Sequence, residues 1–138
     1  MSALEQVPAG LAHGADGQIR VFICDDDPDL RALLRIRLER DPGIAVVGEA
    51  SDGAAALDGI VRTRPDVAVV DLVMPRLSGF EVIDRLRTAA PDTRAIMLSG
   101  SATRSSRRAV EGAGGVACLE KAAGLRAVVP AIHAAAGR

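Results

Sequence analysis

From Arg20 onward, five short apolar runs alternate with amphipathic stretches, and no other feature of the chain limits its fold as tightly. The runs occupy residues 21–24, 44–47, 67–70, 95–98 and 116–119, and the first three are rich in β-branched side chains. Continuous apolar runs of this length are what strands buried on both faces present. Between them, Leu30, Leu33, Leu34 and Leu38 follow i, i+3, i+4, i+8 spacing, and Leu125, Val128, Val129 and Ile132 follow i, i+3, i+4, i+7. Phe80, Val82, Ile83 and Leu86 mark a third helical face, and residues 54–61 and 103–110 complete the set with weaker periodicity. Strict β–α alternation requires a parallel sheet with right-handed crossovers and helices on both faces. The expectation is a five-stranded, doubly wound α/β sheet. An eight-fold barrel needs many more than 138 residues. Pro130 falls inside the last helical pattern, so that helix is expected either to kink there or to start later than the spacing implies.

Composition narrows the function classes. With 49% apolar and 25% charged residues, the chain has the profile of a soluble globular domain with one core. A formal net charge of −1 gives no argument for nucleic acid or an anionic membrane as a partner. Phe22 and Phe80 are the only aromatic residues, which leaves no platform for stacking bases. No apolar run is long enough to span a membrane, and residues 1–10 lack the basic start of a secretory signal. A cytoplasmic location is expected. Residues 1–18 are small and polar and read as a flexible leader ahead of a folded unit over 19–138. Cys24 and Cys118, each inside an apolar run, read as buried free thiols rather than a disulfide.

In an open parallel sheet, ligands bind beyond the carboxyl ends of the strands. After the first run come Asp25, Asp26 and Asp27; the third ends at Asp71; the fourth is followed by Ser99 and Gly100; the fifth by Glu120 and Lys121. Clustered carboxylates repel unless a cation is supplied. Mg²⁺ takes carboxylate, carbonyl and water oxygens and keeps positions open for phosphate. A carboxylate is also a competent nucleophile toward phosphorus. Phosphoryl transfer needs charge cover, which a metal, the Lys121 ammonium and the Ser99 hydroxyl would supply together. Taken singly, each piece has a plainer explanation: Asp27 followed by Pro28 is a helix N-cap, and Lys121 alone is a surface lysine. Their joint placement after consecutive strands carries the signal.

Those residues resemble the response-regulator receiver domain of bacterial two-component systems. The marks are Val21-Phe22-Ile23-Cys24-Asp25-Asp26-Asp27-Pro28, Pro65-Asp66-Val67-Ala68-Val69-Val70-Asp71-Leu72-Val73-Met74-Pro75 with Gly79, Leu98-Ser99-Gly100, and Leu119-Glu120-Lys121. They span residues 20 to about 136. The resemblance implies a flavodoxin-like (βα)5 fold with strand order 2-1-3-4-5. It implies that Asp71 is the phosphoacceptor and that Asp25 and Asp26 hold Mg²⁺ (or Mn²⁺) together with Asp71 and the backbone carbonyl of Val73. Ser99 would be the switch hydroxyl, Lys121 the lysine that pairs with the phosphoryl group, and Gly100 the small residue that leaves it room. The implied partner is a sensor histidine kinase, with output through the face of the fourth helix, fifth strand and fifth helix, where a homodimer could also form. The domain would catalyse its own phosphorylation and dephosphorylation without being an enzyme with a free substrate.

Val46-Val47-Gly48-Glu49-Ala50-Ser51-Asp52-Gly53 and the segment from Ala131 to Gly137 resemble the subgroup whose receiver precedes a helix-turn-helix DNA-binding domain. That association points to transcription regulation, without nucleic-acid contact from these residues themselves. A stand-alone receiver and a receiver cut from a longer regulator both fit. Two positions depart from the family pattern: Cys118 stands where a Tyr or Phe switch residue is usual, and Ala122 where many members have proline. Rival readings are weaker. A haloacid-dehalogenase-type phosphatase needs an acid where Val73 stands, and a nucleotide-binding module needs a Gly-rich phosphate loop after the first strand. An atypical receiver that docks proteins without cycling phosphate is the remaining alternative. His13 and His133 read as neither metal nor phosphorelay sites, and Arg104, Arg107 and Arg108 as a solvated face.

Overall fold

The computed structural model describes residues 17–100 and 103–137, without the side chains of residues 123 and 124. The leader expected over 1–18 lies outside the described residues up to position 16, and His13 with it. Five strands alternate with five helices: β1 (Ile19–Cys24), α1 (Pro28–Glu39), β2 (Ile44–Ala50), α2 (Gly53–Thr63), β3 (Val67–Asp71), α3 (Gly79–Ala89), β4 (Arg94–Ser99), α4 (Arg104–Ala113), β5 (Ala117–Glu120) and α5 (Lys121–Ala135). The strands are all parallel in the order β2-β1-β3-β4-β5. This is the flavodoxin-like doubly wound sheet.

Alternate strand residues point to opposite faces, so the sheet feeds two apolar layers. Ile19, Val21, Ile23, Val67, Val69, Ile96 and Leu98 pack with Leu34 and Leu38 of α1 and Val128 and Ile132 of α5. Phe22, Cys24, Ala68, Val70, Met97 and Cys118 pack with side chains of α2, α3 and α4. The sheet is thereby covered on both sides, as the continuous apolar runs require. Phe22 sits in a slot made by absent side chains. A Cβ at Gly48 would lie 2.6 Å from its ring and one at Gly59 would lie 2.5 Å away. Beside this contact the β1–β2 register shifts between Val21 and Phe22.

Two details differ from the expectation, and a third removes one of the alternatives left open at Pro130. Leu33 is 51% exposed, because it stands one residue step, about 100°, from Leu34, beyond the stripe that reaches the sheet. Val116 lies outside β5 and is exposed. The last helix starts at once after β5 and continues through Pro130, which stands on its exposed side, so a late start is not how the proline is accommodated. Helix α4 is the most lightly anchored: Val110 is its single buried residue. Among the described residues, no helix is long and apolar enough to cross a membrane.

Candidate functional site

The strand ends bring the acids together. Asp25 follows β1 directly, Asp71 closes β3, Ser99 closes β4, and Lys121 opens α5. Strand order places β1 beside β3 and β3 beside β4, so these residues share one edge of the sheet. One carboxylate oxygen from each of Asp25, Asp26 and Asp71 lies within 4.8 Å of the others. Lys121 Nζ is 3.0 Å from Asp71 Oδ1 and 3.8 Å from Asp25 Oδ2. Asp25, Asp71 and Ser99 are buried, whereas Asp26 faces solvent.

The surrounding loops are fixed by backbone contacts. Asp27 N–H donates to Asp25 Oδ1 at 2.9 Å, while the Asp27 carboxylate accepts from the N–H groups of Asp29 and Leu30. Asp27 is therefore the α1 cap, with Pro28 behind it, as its position implied. Gly79 N–H donates to the Leu72 carbonyl at 2.8 Å, which draws the start of α3 against the end of β3. A Cβ there would lie 2.5 Å from the Asp71 carbonyl, so only glycine permits this approach. At Gly100 an added Cβ would meet nothing within 4 Å, in keeping with an open position beside Ser99.

Electrostatics leaves the pocket short of positive charge. Burial raises the pKa of Asp25, and the neighbouring charges of Asp71 and Asp26 add to the rise against the Asp27 N–H and Lys121. Burial likewise raises that of Asp71, against the hydrogen bond and charge of Lys121 and a backbone hydrogen bond from Val73. Burial alone would lower Lys121, but Asp71, Asp25 and Asp26 outweigh it and hold the ammonium raised. Asp25 Oδ2 and Asp71 Oδ2 are buried without a hydrogen-bond partner. Orphaned, desolvated carboxylate oxygens beside a solvent-facing third acid fit a hard divalent cation such as Mg²⁺.

Residues 21–133 match the family model for the response regulator receiver domain. The chain belongs to this family. A protein-glutamate methylesterase/protein-glutamine glutaminase of Syntrophus aciditrophicus is 41% identical over 107 residues, covering 75% of this chain and 30% of that protein. Another, from Geobacter metallireducens, is 35% identical over 109 residues, covering 77% and 31%. The receiver thus spans less than a third of these curated relatives. The signal receiver domain of the response regulator NarL from Mycobacterium tuberculosis superposes with a TM-score of 0.82 at 33% identity, covering 88% of this chain and 98% of that one. A LuxR-family two-component response regulator from Aurantimonas sp. SI85-9A1 gives 0.82 at 31% identity, covering 88% and 87%. These structural neighbours accord with the subgroup resemblance seen in the sequence.

Other residues of the receiver lie elsewhere. His133 Nε2 is 2.8 Å from Asp41 Oδ2, in the loop after α1 and at the opposite end of the strands. Cys24 and Cys118 are free and buried, and burial pushes the Cys24 thiol far up, so it is inert. Arg104 and Arg108 are exposed, while Arg107 donates to the Cys118 carbonyl at 3.2 Å. Sequence reasoning did not single out Arg31, which donates to the Asp25 carbonyl at 2.7 Å. Its signal was positional: Arg31 lies one helical turn beyond the Asp27 cap, where a long side chain leans back toward the helix start.

Proposed function

We propose that this receiver is a phosphorylation switch in which Asp71 accepts a phosphoryl group from the phosphohistidine of a sensor kinase. The observation that carries this reading is Lys121 at 3.0 Å from a buried Asp71 whose second oxygen has no partner. An Asp71 carboxylate oxygen forms the new bond to phosphorus while the P–N bond to the donor histidine breaks. The histidine nitrogen keeps the electron pair and takes up a proton. Asp25, Asp26, Asp71 and the Val73 carbonyl would hold Mg²⁺ or Mn²⁺, which when bound supplies charge cover for the phosphoryl oxygens. Lys121 covers another oxygen through its ammonium, and Ser99 offers its hydroxyl to a third. Gly79 keeps the loop after β3 tight, and Gly100 leaves room. Water attacking the phosphoryl group later restores the free carboxylate.

In this reading the phosphoryl group biases a pre-existing equilibrium, and the α4-β5-α5 face carries the change to an output partner or a second copy in the cytoplasm. A second reading, docking without phosphate, is favoured by one observation. Cys118 replaces the usual aromatic ring, and a groove of about 320 Å³ opens beside it between α4 and β5. Incubation with acetyl phosphate and Mg²⁺, followed by intact-mass measurement, tests the switch. Wild type should gain one acid-labile phosphoryl group, and chelation or Asp71→Asn should abolish it. No adduct in wild type, or an undiminished one in Asp71→Asn, contradicts the proposal.

A further inference from the structure

We infer that Arg31 is a positioning residue for the divalent-cation site, holding the β1–α1 loop in the geometry that aims Asp25 and Asp26. The inference rests on the cation reading given above. Arg31 Nη1 donates to the Asp25 carbonyl at 2.7 Å, and its Nε donates to Glu49 Oε1 at 3.1 Å. The other Glu49 oxygen accepts from Arg35, which also pairs with Glu39 at 3.4 Å. On the far side of the same residue, Asp25 N–H donates to the Ala50 carbonyl at 3.1 Å. Asp25 is thus tied to the end of β2 through both its N–H and its C=O. One oxygen of its side chain is held by Asp27 N–H, which leaves Oδ2 directed into the pocket.

Charge alone argues against a cation at this position. Arg31 sits in the first turns of α1, at the positive end of the helix dipole, and close to where a divalent ion would bind. Through space it opposes metal binding. What it gives in return is geometry: two donors in a fixed fork, one on the metal-bearing loop and one on a carboxylate anchored in β2. The two effects have opposite signs, which makes the role separable. If only charge mattered, removing Arg31 would tighten Mg²⁺ binding; if positioning dominates, removal weakens it.

The test is the Kd for Mg²⁺ by calorimetry, checked with Mn²⁺ by electron paramagnetic resonance, on the full chain carrying Arg31→Met, Arg31→Lys or Arg37→Met. Arg31→Met should weaken binding roughly tenfold, the scale seen when an outer partner of a metal ligand is lost. Arg31→Lys keeps the charge but not the fork and should fall between. Arg37→Met, the same charge change further along α1, should not weaken it. In the acetyl phosphate reaction, half-saturating Mg²⁺ should rise in Arg31→Met while the rate at saturating Mg²⁺ is retained. A merely structural role would lower thermal stability and leave the Kd alone. Unchanged or tighter binding in Arg31→Met overturns this inference while leaving the cation reading intact. Wild type that takes up no Mg²⁺ overturns both. Should Arg31→Met fail to fold, a wild-type Kd in Arg31→Lys is the contradicting result.

Discussion

Asp25 and Asp71 are each buried carboxylates whose native pKa lies above the ordinary value. The folded state therefore binds protons more readily than the unfolded one. Their contribution to stability is fully present below the ordinary carboxylate pKa and is lost as pH rises through the raised native value. At neutral pH and without metal, both groups therefore cost stability. Asp71→Asn should then raise the thermal midpoint of the metal-free chain, by roughly 3–6 °C if the gain is about 1 kcal/mol. Melting curves across pH check the sign: the gap between wild type and Asp71→Asn should close as pH falls toward 4. A gap that widens on acidification contradicts the account. Lys121 acts in the opposite sense, as a cation facing both acids. Lys121→Ala should slow phosphorylation by acetyl phosphate by about 10²-fold, the usual cost of losing one charge-stabilising donor, measured as initial rates at saturating Mg²⁺.

Elements show which parts of the fold could be read in advance. The five apolar runs located all five strands, most cleanly the central β1, β3 and β4, where burial on both faces leaves few polar residues to blur the run. Helix α1 was legible as a helix, but not which of its leucines face the sheet. Leu33 and Leu34 are equally apolar, and only packing distinguishes them. Glycine function was equally hidden. Gly59 inside α2 looks like a weak point by helix propensity, yet it makes room for the Phe22 ring. Gly59→Ala should accordingly destabilise the domain by about 1–3 kcal/mol through overpacking, despite alanine's better propensity, as read by urea unfolding. Helix α4 combines one buried residue with two arginine-to-carbonyl ties, Arg107 to Cys118 and Arg87 to Gly112. Backbone held by so little apolar contact opens at low free energy. Amide exchange in α4 should be faster than in α1, and Arg107→Ala should accelerate it further.

At the scale of the whole molecule, the site exists only because topology collects residues far apart in sequence. The acids, Ser99 and Lys121 could be named beforehand since each ends or follows an apolar run. The Arg31–Glu49 tie could not, because it depends on β2 lying beside β1 and on where one helix turn points a side chain. The charge imbalance of the pocket also has a global consequence. A ligand that binds only the folded state stabilises it by mass action, about 2.7 kcal/mol at a hundredfold excess over Kd. Mg²⁺ should therefore raise the melting temperature of wild type, and much less that of Asp25→Asn. The central claim is that Asp71 takes the phosphoryl group, and one measurement addresses it at the residue itself. Reduction of the acetyl phosphate-treated chain with borohydride converts an aspartyl phosphate to homoserine, which peptide mass spectrometry locates. Homoserine at position 71 alone is the predicted result; its absence there, or its appearance at Asp25 or Asp26 instead, would contradict the account.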